Sequence, residues 1–239
     1  MSGAAGTVVQ AADVPADQSA SGTSVRRLVD TSADEPGLVR RLVDLAPLAK
    51  LSGSASAGGE LWFVIEGAGQ VSLDGQPEVA LRPDRGFLLP PGCAYRASAG
   101  QAAGLRLDTV SLPHGHGAAT GRPLSRDFAD CEVETTGDRQ FRVLFGPGRD
   151  CAVATQFVGE IPPGRAPDHS HPYDEVVLIL AGQGIAHIGG VEHALTAGAC
   201  AHLPPGLVHC LENTGPQTLR VLGVFHPADS PAAKLEPNH

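Results

Sequence analysis

Four residues in the second half of the chain have the types and spacing to hold a metal ion: His169, His171, Glu175 and His209. Residues two apart on an extended strand point to the same side, so His169 and His171 can enter one interior together. Glu175 shares their parity, although Pro172 can bend the chain between them. His209 follows the turn Pro204, Pro205 and Gly206 on a different strand, which is how a residue distant in sequence completes a coordination shell. Three imidazoles and one carboxylate suit a first-row divalent ion and leave positions open for water, oxygen or substrate. Without such a cation, a buried cluster of these groups would be costly.

The elements that must position these residues read as short strands. Apolar runs such as those beginning at Glu60 and Glu175 are punctuated closely by Gly and Pro, the pattern of an all-β sandwich or barrel. The segments Val25 to Leu45 and Asp138 to Phe145 supply the opening strands, and Leu38 to Leu48 is also compatible with a short helix. The chain repeats itself. Glu60 to Gly67 matches Glu175 to Gly182, Leu89 to Gly92 matches Leu203 to Gly206, and Leu105 to Val110 matches Leu219 to Val224. Three blocks in register indicate two copies of one fold.

With the repeat in place, the second half resembles a cupin. The first motif of that family has two His flanking one residue, then Glu and Gly, here His169, His171, Glu175 and Gly182. The second motif has Gly, Pro, Gly, His and Asn, here Gly198, Pro204, Gly206, His209 and Asn213. Gly164 lies one residue nearer the first His than the usual pattern, which affects only that turn. The resemblance implies an all-β chain of two tandem cupin-type barrels, of the double-stranded β-helix or jelly-roll kind. It also implies that His169, His171, Glu175 and His209 are the ligands of one divalent transition metal, Fe, Mn, Ni, Cu or Zn.

Carried back to the first copy, the four ligand positions become Ser54, Ser56, Glu60 and Tyr95, so that copy is expected to be metal-free and structural. A second reading gives it an organic ligand against Trp62, Glu60 and Tyr95, although Trp62 also suits a core. His226 falls near the end of a late strand and is a candidate pocket residue of the second barrel. His114 and His116 sit among Gly and Ala and read as a solvated loop, and the facing of His187 and His202 is open. Cys210 follows His209 directly, so alternation turns it away from the site. No nucleophilic triad, phosphate-cradling loop or dinucleotide fingerprint has its required context.

Along the chain, residues 1–23 are expected to form a disordered tail, 24–113 the first, degenerate barrel, 114–125 a linker, and 126–239 the metal-binding barrel. Seventeen Lys plus Arg against 26 Asp plus Glu give a net charge of −9, which disfavours nucleic acid as a partner. The N-terminus lacks a signal peptide and no apolar run reaches the ~18 residues of a membrane span, so a cytoplasmic protein with no membrane contact is expected. Five scattered Cys without a Cys-x-x-Cys pair fit a reducing compartment. Arg in preference to Lys, with abundant Ala and Gly, reads as the coding bias of a GC-rich bacterial genome.

By resemblance, the chain is a metal-dependent enzyme acting on a small organic molecule, with dioxygenase or isomerase chemistry ahead of cyclase or decarboxylase chemistry. The other reading is a non-catalytic protein that binds or senses a small metabolite. Two fused barrels could stand alone as a monomer or pair as a homodimer.

Overall fold

The structure, a computed structural model, describes residues 6–18, 22–31, 37–113 and 121–233. The described residues form four antiparallel sheets, two of seven strands and two of four, one of each per half. In the first half the large sheet has at its centre Glu60–Gly67, Leu105–Ser111 and Val39–Leu45, and faces a small sheet of Lys50–Ser54, Ala94–Ala99, Gly69–Leu73 and Val79–Leu81. In the second half Asp174–Ala181, Leu219–His226 and Thr155–Ile161 are central, facing Gly164–Arg165, His209–Asn213, Gln183–Ile188 and Val191–Thr196. The order of equivalent strands is the same in both, as the repeat requires. Each half is a pair of facing sheets, an all-β arrangement of two tandem cupin-like domains, and among the described residues no single sheet closes on itself.

The near-continuous apolar runs of the sequence have a physical cause. The two large sheets pack back to back, so their central strands are buried on both faces. Leu61 and Phe63 point to the other half, where they join Val176, Leu178, Leu222 and Val224 in one shared core. Their neighbours Trp62 and Val64 point into the first half, as Val177 and Ile179 do into the second. Val39–Leu45 lies between two strands of the large sheet, so the segment from Leu38 is strand and not helix. Among the described residues, only the single 3-10 turns Ala11–Asp13 and Phe128–Asp130 are helical, and no helix is long and apolar enough to cross a membrane.

The halves also exchange strands. Thr7–Gln10, placed in a disordered tail by composition, pairs with Ala199–Leu203 at the edge of the second large sheet. Leu124–Asp127, which straddles the expected start of the second barrel, pairs with Arg85–Leu89 at the edge of the first. Each then enters a 3-10 turn, so the two segments are equivalent parts of the repeat. An exposed sheet edge offers unpaired N–H and C=O groups, and those hydrogen bonds outweigh the weak apolar content that suggested disorder. The remainder of the expected linker, residues 114–120 with His114 and His116, lies outside the described residues.

A buried ion pair of the first half reaches across the contact between halves. Arg40 and Asp108, both fully buried, meet at 2.7 and 3.0 Å, and Arg40 also donates to the carbonyls of Val176 (2.8 Å) and Leu222 (3.1 Å) in the central strands opposite. Burial alone would lower the Arg40 pKa, but the Asp108 charge and hydrogen bonds hold it above its ordinary value, so the guanidinium stays charged. Burial in turn pushes the Asp108 carboxyl up against the pull of Arg40. Removing one partner strands the other charge. Arg40→Met is expected to cost about 3–5 kcal/mol in denaturant unfolding, and the double variant Arg40→Met, Asp108→Leu to recover most of it. A single-variant loss below about 1 kcal/mol would contradict this account of the contact.

Candidate metal centre

The site lies between the two sheets of the second half. His169 and His209 face each other across one antiparallel bridge, His169 N donating to His209 O at 3.0 Å and His209 N to His169 O at 2.8 Å. Directly opposed residues share a face, so both imidazoles project to the same side. His171, two residues on, joins them in an extended segment, with ring centroids 4.8 Å from His169 and 5.1 Å from His209. The turn before His209 is clamped to the first motif, since Gly206 N donates to His171 O at 2.8 Å, and its φ of 76° suits a residue without a Cβ. Asn213 holds the far end of this strand by donating to the Ile161 and Gln217 carbonyls (2.8 and 2.7 Å) and so is a structural residue.

Ligand nitrogens of His169, His171 and His209 all lie within 4.8 Å of one another. Each ring is oriented through its other nitrogen. Nδ1 of His169 meets Pro167 O at 3.0 Å, Nδ1 of His171 meets Ala233 O at 2.8 Å, and Nδ1 of His209 meets Leu207 O at 2.8 Å. A carbonyl can only accept, so Nδ1 carries the hydrogen in all three and Nε2 carries the lone pair. His171 is further held in a stack, its ring 4.6 Å from that of Tyr173, which lies 3.9 Å from Phe225.

Glu175 is buried, with Oε2 3.7 Å from Nε2 of His171. Burial pushes its carboxyl up to about 8, against the nearby Arg40 charge, while burial pushes His209 down to about 4. Both directions favour the uncharged forms, a neutral His209 imidazole and a Glu175 carboxyl whose proton a cation would displace. This donor set fits a divalent ion: oriented imidazole lone pairs beside an acid that lacks a counter-charge in contact.

The four residues line a cavity of about 220 Å³ whose remaining walls include Phe157, Ile161, Val177, Leu203 and Leu211, with Arg139 and Pro231. His226 is not among the lining residues; it is buried, with Nδ1 2.7 Å from Val153 O, and so stands off the cavity. His187 pairs with Glu212 at 2.8 Å and His202 with Asp174 at 2.6 Å, both away from the cluster. Cys210 is turned toward Arg165, whose Nε donates to its sulfur at 3.4 Å. Sequence reasoning missed Arg139, Tyr173 and the tail at Ala233. An aromatic two residues beyond His171 was the available signal for Tyr173, whereas a backbone carbonyl has no side-chain signature.

The first half has no comparable cluster among the described residues. Its inward pair is not Ser54 and Tyr95, as the register of the sequence implied, but Gly53 opposite Tyr95. The tyrosine ring fills the space, and a Cβ on Gly53 would lie 2.5 Å from its hydroxyl. Ser54 is exposed and pairs with Ala94. Glu60 is satisfied within the protein, accepting from Trp62 Nε1 (2.7 Å) and Ser56 N (3.2 Å), and Trp62 is buried edge-on to Tyr95. Protein donors thus occupy the carboxylate equivalent to Glu175 of the other copy.

Residues 157–225 match the Cupin domain family model. No curated protein matches the sequence significantly. Among solved structures, a Pseudomonas aeruginosa protein described as glyoxylate-induced is similar at 16% identity and a TM-score of 0.78, covering 98% of this chain and 92% of that one. Protein YlbA of E. coli is similar at 12% identity and 0.78, covering 93% and 90%. A Bacillus subtilis oxalate decarboxylase, a protein with Mn(II) centres, is similar at 13% identity and 0.76, covering 96% and 79%. The fold is therefore that of the cupin superfamily in a bicupin-like, two-domain, all-β arrangement, with a three-histidine cluster in the C-terminal cupin domain.

With burial holding the Glu175 carboxyl up to about 8, a divalent cation bound beside it would displace a proton, and its affinity should rise about tenfold per pH unit up to about 8 and then level. Calorimetric titration in buffers of differing ionisation enthalpy checks this, and Glu175→Gln should flatten the dependence. A chain ending at residue 229 lacks the Ala233 carbonyl and should bind the ion about 10–100-fold more weakly with its fold intact. Unchanged affinity would show that the tail does not orient His171.

Proposed function

We propose that the C-terminal half binds one divalent first-row ion through His169, His171, Glu175 and His209, and that the protein is a metal-dependent enzyme acting on a small metabolite in the adjoining cavity. The observation that carries this reading is the approach of three imidazole nitrogens to within 4.8 Å of one another, each ring oriented by a carbonyl on its far nitrogen. A structural or surface histidine has no need of such convergence.

When bound, the ion would act as a Lewis acid or redox centre, polarising an oxygen of the substrate or of dioxygen. The protein's own contribution is arrangement. The Nδ1 contacts fix tautomer and ring angle, Glu175 gives up its proton and supplies the negative charge, and the apolar walls, Phe157 and Leu203 among them, exclude bulk water and so strengthen every charge interaction inside. Three imidazoles and a carboxylate serve Fe, Mn, Ni, Cu or Zn; similarity to a protein with Mn(II) centres makes manganese the first to test. Dioxygenase and isomerase reactions are the first to assay, then cyclase and decarboxylase reactions.

Protein purified without added metal is expected to carry about one divalent ion per chain, and His171→Ala to carry little and to lose turnover or oxygen uptake. Wild-type protein with no ion after metal supplementation, or a His171→Ala variant that retains it, would overturn the reading. An ion without turnover across these reaction classes would leave a metabolite-binding protein.

A further inference from the structure

The geometry points to Arg139 as the residue that selects the cavity's ligand, a small carboxylate, an inference that rests on the metal reading above. Arg139 opens the strand Arg139–Phe145 and lines the same cavity as the imidazoles and Glu175. Its Nη2 donates to the Leu211 carbonyl at 2.7 Å. Leu211 stands two residues from His209 on the same strand, so the guanidinium is tethered to the element that carries a ligand.

The cation is half-buried and forms no ion pair with any described residue. The cavity walls include Phe141, Phe157 and Leu211, and Asp138, the sequence neighbour of Arg139, is exposed. Burial lowers the Arg139 pKa, against the opposing pull of the nearby Asp138 charge. A guanidinium has five N–H donors in a planar fork, of which the carbonyl takes one, and the fork matches a carboxylate.

Charge and size narrow the ligand further. A divalent ion held by three neutral imidazoles and the Glu175 carboxylate keeps a positive charge, and Arg139 adds a second, so the cavity favours an anion. A cavity of about 220 Å³ falls below the roughly 300–1,000 Å³ of drug-sized pockets, which points to a small ligand. A phosphate dianion would call for more donors than one guanidinium among apolar walls supplies.

The test uses full-length protein loaded with Mn(II), its metal content measured first, and titrated calorimetrically with glycolate, glycolamide and inorganic phosphate. Glycolate is expected to bind about tenfold or more tighter than glycolamide and tighter than phosphate, the advantage of a charge-assisted pair. Arg139→Gln should abolish that advantage at unchanged metal content, and Arg139→Lys should keep part of it. Equal binding of glycolate and glycolamide by the wild type, tighter binding of phosphate, or undiminished glycolate preference in metal-loaded Arg139→Gln would each overturn the inference while leaving the metal reading intact. The ion alone also favours a carboxylate, so the Arg139 variants at matched metal content carry the assignment, while a wild type that fails to discriminate overturns it without any variant. Wild-type protein that takes up no Mn(II) at the cluster would overturn both.

Discussion

Each imidazole of the cluster commits its Nδ1 hydrogen to a backbone carbonyl, and the character of the site follows from that constraint. A ring anchored on one nitrogen turns the other, with its lone pair, to a set direction, and two of the three carbonyls lie just two residues before the histidine they hold. The third comes from the far end of the chain at Ala233. Local backbone geometry thus orients His169 and His209, whereas His171 depends on the tail and on its stack with Tyr173 and Phe225. The strands on either side serve to bring these carbonyls and rings to one place.

The two halves show what the fold needs and what it does not. Both keep the double burial of central strands, the exchanged edge strand and the glycine turn, because these sustain packing whatever the cavity contains. Only the second keeps room. In the first, Tyr95 and Trp62 take up the interior and Glu60 is satisfied by an indole N–H and a backbone N–H. The first half then acts as a packing partner, and Arg40 carries its influence directly: bonded to Asp108, it caps the Val176 and Leu222 carbonyls and places a positive charge near Glu175.

Much of this was legible in the sequence, for physical reasons that also set the limit. The period of two made His169 and His171 neighbours, and the repeated turn before His209 announced a second strand. The all-β class was visible in apolar runs too short for helices. Composition misled where hydrogen bonding ruled, since Thr7–Gln10 has little apolar surface but completes a sheet edge. Gapless alignment misled by one residue at Ser54, because strand pairing, and not spacing along the chain, sets which residue opposes Tyr95. Arg139 belongs to no motif, and its place beside the cluster depends on a strand that pairs with Thr155–Ile161 and so lies within the same large sheet. His226 read as a pocket residue by its position late in a strand, but it turns to Val153.

The central claim, that three imidazoles and one carboxyl converge on a cation, is met most directly by anomalous diffraction from crystals of metal-supplemented protein, recorded at the absorption edge of the ion. The account predicts one strong peak in the C-terminal half, about 2.0–2.2 Å from Nε2 of His169, His171 and His209 and beside Glu175. No peak among these residues, or an ion bound through Nδ1 with the carbonyl contacts broken, would contradict it.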